Sequence, residues 1–344
     1  MPLVNDPVLV GQIYQRAMDA GMCLANFCTA NFYTTEAILR AAYEFGAEHA
    51  IIDMPIVVSV TANYPIEPQL VSYTHLKNAA LGLKALVGDI ELMVASDSPY
   101  ANLQVMLHFD HGQPDLDADL LEQAADRFAT LMFDASNWPM EQNIEMTRQF
   151  VERMRGRVLV EGAVAEIAQA IDQAEVPLTS PDVAEDYYRK TGVFLIVPDL
   201  GTEHRATSTA ARYNGDLARE ITRRIGKRIV LHGSSSLQDD YLKRLASDGI
   251  VKVNVWTIFE RIGGQAVARH MLKELGHILP ANELRTLVEQ GMIGRKYLEE
   301  LEEGRSPALD SLREEARRNV WQAAVVERMK FYFERYNYGN WLSA

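Results

Sequence analysis

Short runs of β-branched and other apolar residues alternate along the chain with longer segments in which apolar side chains recur every three or four positions. The runs are Met22 to Phe27, Ile51 to Val60, Val105 to Phe109, Thr130 to Phe133, Arg157 to Val160, Val193 to Val197, Arg228 to Leu231 and Val251 to Val255. Several carry Val, Ile and Leu on successive positions, the pattern of parallel strands covered on both faces. The segments between them predict amphipathic helices. Thr35 to Phe45 opens Thr-Thr-Glu and puts Ala37, Ile38, Ala41 and Ala42 on one side. Met140 to Met154, Leu217 to Ile225 and Leu237 to Ala246 follow the same rule.

Eight strands alternating with helices point to the α/β class and to a closed (β/α)8 TIM barrel, although periodicity alone also permits an open doubly wound sheet. From about Ala266 onward the strand signal stops. The expected organisation is a barrel domain over residues 1–265 and a C-terminal helical extension over 266–344 packed on it. Within that extension Leu312 to Tyr336 is amphipathic, and Phe331, Tyr332, Phe333, Tyr336, Tyr338 and Trp341 crowd the end of the chain. Such aromatics need burial, either as a cap over the barrel or in an oligomer contact, and a homodimer or homotetramer is the expected assembly.

The chain has 344 residues, 48% hydrophobic and 24% charged, with ample material for one large core. Its net charge of −13, with no basic run longer than Arg223-Arg224 or Arg317-Arg318, argues against nucleic acid and anionic membranes as partners. An anionic substrate would then need local positive charge, from a metal or from helix N-termini. No stretch approaches the ~20 apolar residues of a membrane span, and the first residues lack a basic segment followed by an apolar one. Cys23 and Cys28 do not have zinc-ribbon spacing and are expected as buried free thiols, which fits the cytoplasm.

Three histidines stand at or just beyond strand ends. His111 follows Val105 to Asp110, His204 follows the Phe194 to Pro198 run by a short loop, and His232 follows Arg228 to Leu231 directly. Active sites of (β/α)8 barrels are built at this end of the strands. Three imidazoles converging there could hold one divalent cation with positions open for substrate. Asp110, next to His111, is placed to shuttle a proton. After His232 come Gly233, Ser234, Ser235 and Ser236, a turn whose backbone N–H groups and hydroxyls could cradle an anion or simply cap a helix. The eighth strand ends in Lys252, Asn254 and Thr257, also polar at its tip.

Taken together these motifs resemble the class II, metal-dependent fructose-bisphosphate and tagatose-bisphosphate aldolases. The family's His-Leu-Asp-His-Gly appears as His108-Phe109-Asp110-His111-Gly112, and its Met-Ile-Asp-Gly-Ser as Met132-Phe133-Asp134-Ala135-Ser136. Its His-Gly-Gly-Ser-Gly appears as His232-Gly233-Ser234-Ser235-Ser236, and its Lys-x-Asn-x-x-Thr as Lys252, Asn254 and Thr257. The resemblance implies that His111, His204 and His232 bind zinc or another divalent cation and that Asp110 is the acid/base for the acceptor oxygen. It assigns Gly233, Ser235, Asn254 and Thr257 to the phosphate of dihydroxyacetone phosphate or a related donor. The implied reaction is reversible aldol cleavage of a ketose phosphate through a metal-stabilised enediolate.

The departures set this chain apart within that resemblance. Arg205 follows His204 where the family has glycine, and can itself grip an anion. Ala163 stands where a second carboxylate belongs, and Cys28 takes a position usually held by Asn. The Gly-rich loop that bears the family's proton-abstracting glutamate is replaced by Glu166 to Glu175, in which Glu166, Asp172 or Glu175 could serve as base. The altered loop leaves two other readings open: a metal-dependent epimerase or isomerase acting on a sugar phosphate or keto acid, and a non-catalytic barrel homologue.

Overall fold

The computed structural model describes residues 3–165, 177–202, 213–302 and 307–343, with the side chains of 236, 300 and 302 left aside. Glu166, Asp172, Glu175, His204 and Arg205 lie outside the described residues. The described chain forms two compact units, residues 1–257 with 329–344 and residues 258–328.

The first unit is a closed parallel barrel of eight strands in sequence order: β1 (Leu24–Cys28), β2 (Pro55–Thr61), β3 (Gln104–Gly112), β4 (Thr130–Phe133), β5 (Leu159–Ala163), β6 (Leu195–Val197), β7 (Ile229–Leu231) and β8 (Ile250–Val255). Closure is made by β1, which pairs with β2 through Asn26 and Val57 and with β8 through Asn26 and Asn254. The apolar runs that predicted strands are these strands. On β3 and β8 polar residues alternate with the apolar ones. His108 and Asp110 alternate on β3, as do Lys252 and Asn254 on β8, and all four are buried.

Local chemistry explains where the elements start and stop. The helix Pro7–Asp19 begins at Asp6, whose carboxylate accepts from the N–H groups of Val8 and Leu9. The helix Phe32–His49 ends on Ala50 in the left-handed conformation, with Ile51 N–H returning to Gly46 O at 2.8 Å. The apolar stretch Ile51 to Met54 therefore closes a helix, and β2 starts only at Pro55. Asn214 caps the helix Gly215–Ile225 through Leu217 N–H. The continuous helix predicted for Leu237 to Ala246 is absent. A 3-10 turn Ser234–Ser236 and a four-residue helix Asp239–Leu242 replace it, separated by extended backbone at Leu237 and Gln238.

The chain's end returns to the barrel unit. Tyr332, Phe333, Tyr336, Tyr338 and Trp341 are all buried there. Phe333 packs 5.3 Å from Phe27, Ala25 N–H donates to Tyr338 Oη at 2.8 Å, and the Arg16 guanidinium lies 3.9 Å over the Trp341 ring. The second unit is helical, with Ala281–Glu289 and Lys296–Glu302 among its helices, and Trp321 fills the space above Gly263. No helix among the described residues is long and apolar enough to cross a membrane.

Candidate metal and substrate site

A cleft opens at the C-terminal end of the barrel strands. Strand tips and the loops beyond them supply its walls: Cys28 from β1, the Thr61 to Gln69 loop after β2, Asp110 and His111 from β3, His232 to Ser235 after β7, and Asn254 to Thr257 after β8.

Neighbouring residues of a regular strand face opposite ways, so Asp110 and His111 cannot both enter the cleft from an undistorted β3. The strand is not regular there. Its register with β4 shifts between Phe109 and Gly112, and His111 has φ +48°, in the left-handed region. A side chain held there costs about 1–3 kcal/mol, and such strain collects at functional sites. The distortion turns both side chains inward. Ligand atoms of Asp110, His111 and His232 then lie within 4.8 Å of one another, all three residues buried.

Each member is held from behind. Nδ1 of His111 lies 2.7 Å from Oδ2 of Asp134, which leaves Nε2 for the cluster. Asp134 is fixed in turn by Ser136, through its N–H at 3.2 Å and Oγ at 2.6 Å. The Tyr64 ring stacks on His111 at 4.3 Å and 7°. Tyr64 is carried there by Asp117, whose carboxylate accepts from Asn63 N–H and from Gln113 N–H, joining the loops after β2 and β3. Asn254 Nδ2 bridges Asp110 Oδ2 at 3.1 Å and His232 Nε2 at 3.0 Å, and Asn26 Nδ2 donates to Asn254 Oδ1 at 2.7 Å. Thr202 Oγ1 donates to the backbone carbonyl of His232 at 2.7 Å.

The charges follow the geometry. Burial pushes the Asp110 carboxyl up, but His232, His111 and His108 around it outweigh that and hold it well below the usual carboxylate range. Burial pulls the His111 imidazole down, while Asp110 and Asp134 reverse this and leave it raised. Asp134 is likewise lowered overall, burial being overcome by its hydrogen bond to His111. Asp110 thus stays ionised, and its Oδ1 is shielded from solvent with no hydrogen-bond partner among the described residues. Two imidazoles beside an ionised carboxylate make a setting that suits a divalent cation such as zinc.

Below the cleft lies a layer of buried charge. Lys252 Nζ reaches Glu161 Oε1 at 2.7 Å and Oε2 at 2.8 Å, with both side chains inaccessible. His108 Nδ1 is 2.7 Å from Thr130 Oγ1, and its Nε2 lies 3.6 Å from Asp110 Oδ1 and 3.7 Å from Glu161 Oε2.

Of the residues singled out in the sequence, Asp110, His111, His232, Gly233, Ser235, Asn254 and Thr257 all line this one cleft. Cys28 also faces it, accepting from Ser59 Oγ at 3.0 Å, with Asp110 Oδ2 3.9 Å away. Ala163 is buried, and its carbonyl accepts from Asn143 Nδ2 at 2.9 Å. Sequence reasoning assigned no role to Tyr64, Asp134, His108 or the Glu161–Lys252 pair. His108, Asp134 and Lys252 stand inside the quoted motifs, whereas nothing quoted from the sequence marks Tyr64 or Glu161.

Comparison with known proteins points to one family. The family described as class-II fructose-bisphosphate aldolase matches residues 8–306. A curated fructose-bisphosphate aldolase from Treponema pallidum is 26% identical over 259 residues, covering 69% of this chain and 71% of its own. Among solved structures, a fructose-bisphosphate aldolase from Campylobacter jejuni superposes with a TM-score of 0.72 at 17% identity, covering 97% of this chain and 95% of its own. The YdjI aldolase from Escherichia coli gives a TM-score of 0.60 at 18% identity, covering 94% of each chain. At these identities the solved structures speak for the fold alone.

Proposed function

The chain belongs to the class II fructose-bisphosphate aldolase family and is an aldolase-type lyase, and from that premise we propose that it cleaves and forms a ketose phosphate with a divalent cation held by His111 and His232 next to Asp110. The observation that carries this reading is the meeting of those three ligand atoms within 4.8 Å at the barrel mouth. His204, outside the described residues, is proposed as a further ligand.

When bound, the cation supplies polarisation of the ketone carbonyl and stabilisation of the enediolate charge left on the donor half. The chain supplies the rest. In the cleavage direction Asp110 takes the proton from the hydroxyl whose carbon becomes the aldehyde, as the adjacent carbon–carbon bond breaks, and it returns the proton in condensation. Asn254 holds Asp110 and His232 in register with each other. The left-handed Gly233 and the turn after it, with Ser235 and Thr257, are proposed to receive the phosphate. Arg205 is proposed as a further anion contact, and Glu166, Asp172 or Glu175 as the base at the donor carbon. Both thiols are free and buried, which suits a cytoplasmic enzyme.

The test is a retro-aldol assay over a panel of ketose mono- and bisphosphates, with and without chelator. Aldehyde release that chelation removes and added divalent metal restores is expected. Exchange of solvent deuterium into substrate without aldehyde release would instead mark an epimerase or isomerase. Failure of both in the metal-loaded protein would sink the reading.

A further inference from the structure

His111 reaches the cluster from an unusual backbone. At φ +48°, on a strand end whose register has shifted, the ring's direction is not set by the ordinary alternation of a strand. Asp134 holds its Nδ1 edge at 2.7 Å. The torsion that turns an imidazole about Cβ–Cγ is soft, with broad wells in place of sharp staggered ones. A contact at one edge therefore lets the ring rock, and each tilt swings Nε2 off the direction of His232. Tyr64 adds a restraint of a different kind. Its ring lies face to face with the imidazole, centroids 4.3 Å apart and planes within 7°. His232 meets the same imidazole edge-on, at 5.0 Å and 87°.

The stack is held in register from both sides. One buried carboxylate, Asp117, ties the segments that carry the two rings. Its Oδ1 accepts from Asn63, directly before Tyr64, through the backbone N–H at 3.1 Å and Nδ2 at 2.9 Å. Its Oδ2 accepts from the N–H of Gln113, two residues beyond His111, at 3.0 Å. The loop closes behind Tyr64 as Glu67 N–H donates to the Tyr64 carbonyl at 3.1 Å and Thr61 N–H donates to Gln69 Oε1 at 3.0 Å. Tyr64 itself is half-buried and stands outside the barrel core, so this anchoring serves the ring's place on His111 more than the packing of the fold. From this juxtaposition, and resting on the cation reading proposed above, we infer that Tyr64 is a positioning residue for the metal. Its ring face fixes the tilt of the His111 imidazole and so the direction in which Nε2 meets a cation shared with His232.

Titration of the full-length protein with cobalt(II), followed by the visible absorption of the bound ion and by competition with a chelating indicator, tests this independently of turnover. The absorption bands report the geometry of the ligands, and the competition reports affinity. Tyr64→Leu keeps apolar bulk and removes the flat face. It is expected to weaken cobalt binding about two- to tenfold, the equivalent of one aromatic pair, and to shift the visible bands. Tyr64→Phe keeps the face and is expected to retain the affinity and the bands of wild type. Wild-type affinity in Tyr64→Leu would overturn the inference. So would weakened binding with unshifted bands, since the loop would then support the site without aiming the ring. A Tyr64→Phe variant that loses affinity or shifts the bands would overturn it as well, and that variant decides the matter alone if Tyr64→Leu does not fold. Wild type that binds no cobalt would remove the cation reading and this inference with it, whereas cobalt bound equally by wild type and Tyr64→Leu would remove this inference only.

Discussion

Oδ2 of Asp134, at the end of β4, lies 2.7 Å from Nδ1 of His111, at the end of β3. The contact fixes the ring and its tautomer and aims Nε2 at Asp110 and His232. Asp134→Asn is expected to lower divalent-metal affinity about 10–100-fold, the usual cost of losing such a supporting carboxylate, with an unchanged far-ultraviolet circular dichroism spectrum. An unaltered dissociation constant in a metal-competition titration would show that the ring is held by other means.

The same pair sets a pH dependence in the metal-free protein. Asp134 is depressed on folding, so its contribution to stability is present above the ordinary carboxylate value and is lost as pH falls through its lowered value. His111 is raised on folding, so its contribution is complete below the ordinary imidazole value and is lost as pH rises through its raised value. The metal-free melting temperature is therefore expected to peak at about pH 5–6, between the two ordinary values, and to fall toward pH 9. Asp134→Asn should flatten the profile. An equally steep alkaline fall in the variant would assign that fall to other groups.

The eight strands were legible because Val, Ile and Leu runs mark buried parallel strands whatever surrounds them. The barrel end at which His111, His232 and Asn254 gather was legible for the same reason, since strand order fixes which tips are neighbours. The shift that turns Asp110 and His111 inward together was not. It needs φ +48° at His111, which local preference disfavours and only β3–β4 packing imposes. The Asp134 and Tyr64 contacts to His111 join separate strand ends and loops, with no local periodicity to reveal them. Ile51 to Met54 read as strand by apolar content alone, because the left-handed cap at Ala50 leaves no mark on hydropathy.

Lys252 and Glu161 form an ion pair with no solvent access. Removing one partner strands the other's charge, so Lys252→Met is expected to cost about 3–5 kcal/mol in denaturant unfolding. The double variant Lys252→Met with Glu161→Leu should recover most of that loss. A double variant no more stable than the single would show that the damage comes from packing and not from the unpaired carboxylate.

Gly112 follows His111 at the distorted end of β3. A Cβ there would stand 2.6 Å from Leu121 Cδ2 and 2.8 Å from the Met132 carbonyl oxygen. Leucine can yield, whereas the strand carbonyl cannot without moving β4. Gly112→Ala is expected to destabilise the protein by about 1–3 kcal/mol and to weaken metal binding as the strand tip shifts. A normal melting temperature together with normal metal content would show that the tip has room to adjust.

Metal content by plasma mass spectrometry bears most directly on the site. Wild type, His111→Ala and His232→Ala would be purified without chelator, loaded with zinc and desalted. The expected result is stoichiometric zinc in wild type and little in either variant, both still folded, since the ligands sit on the catalytic face of the barrel and not on the face that stabilises it. Wild type that retains no divalent metal, or variants that retain it in full, would contradict the assignment of His111 and His232 as cation ligands.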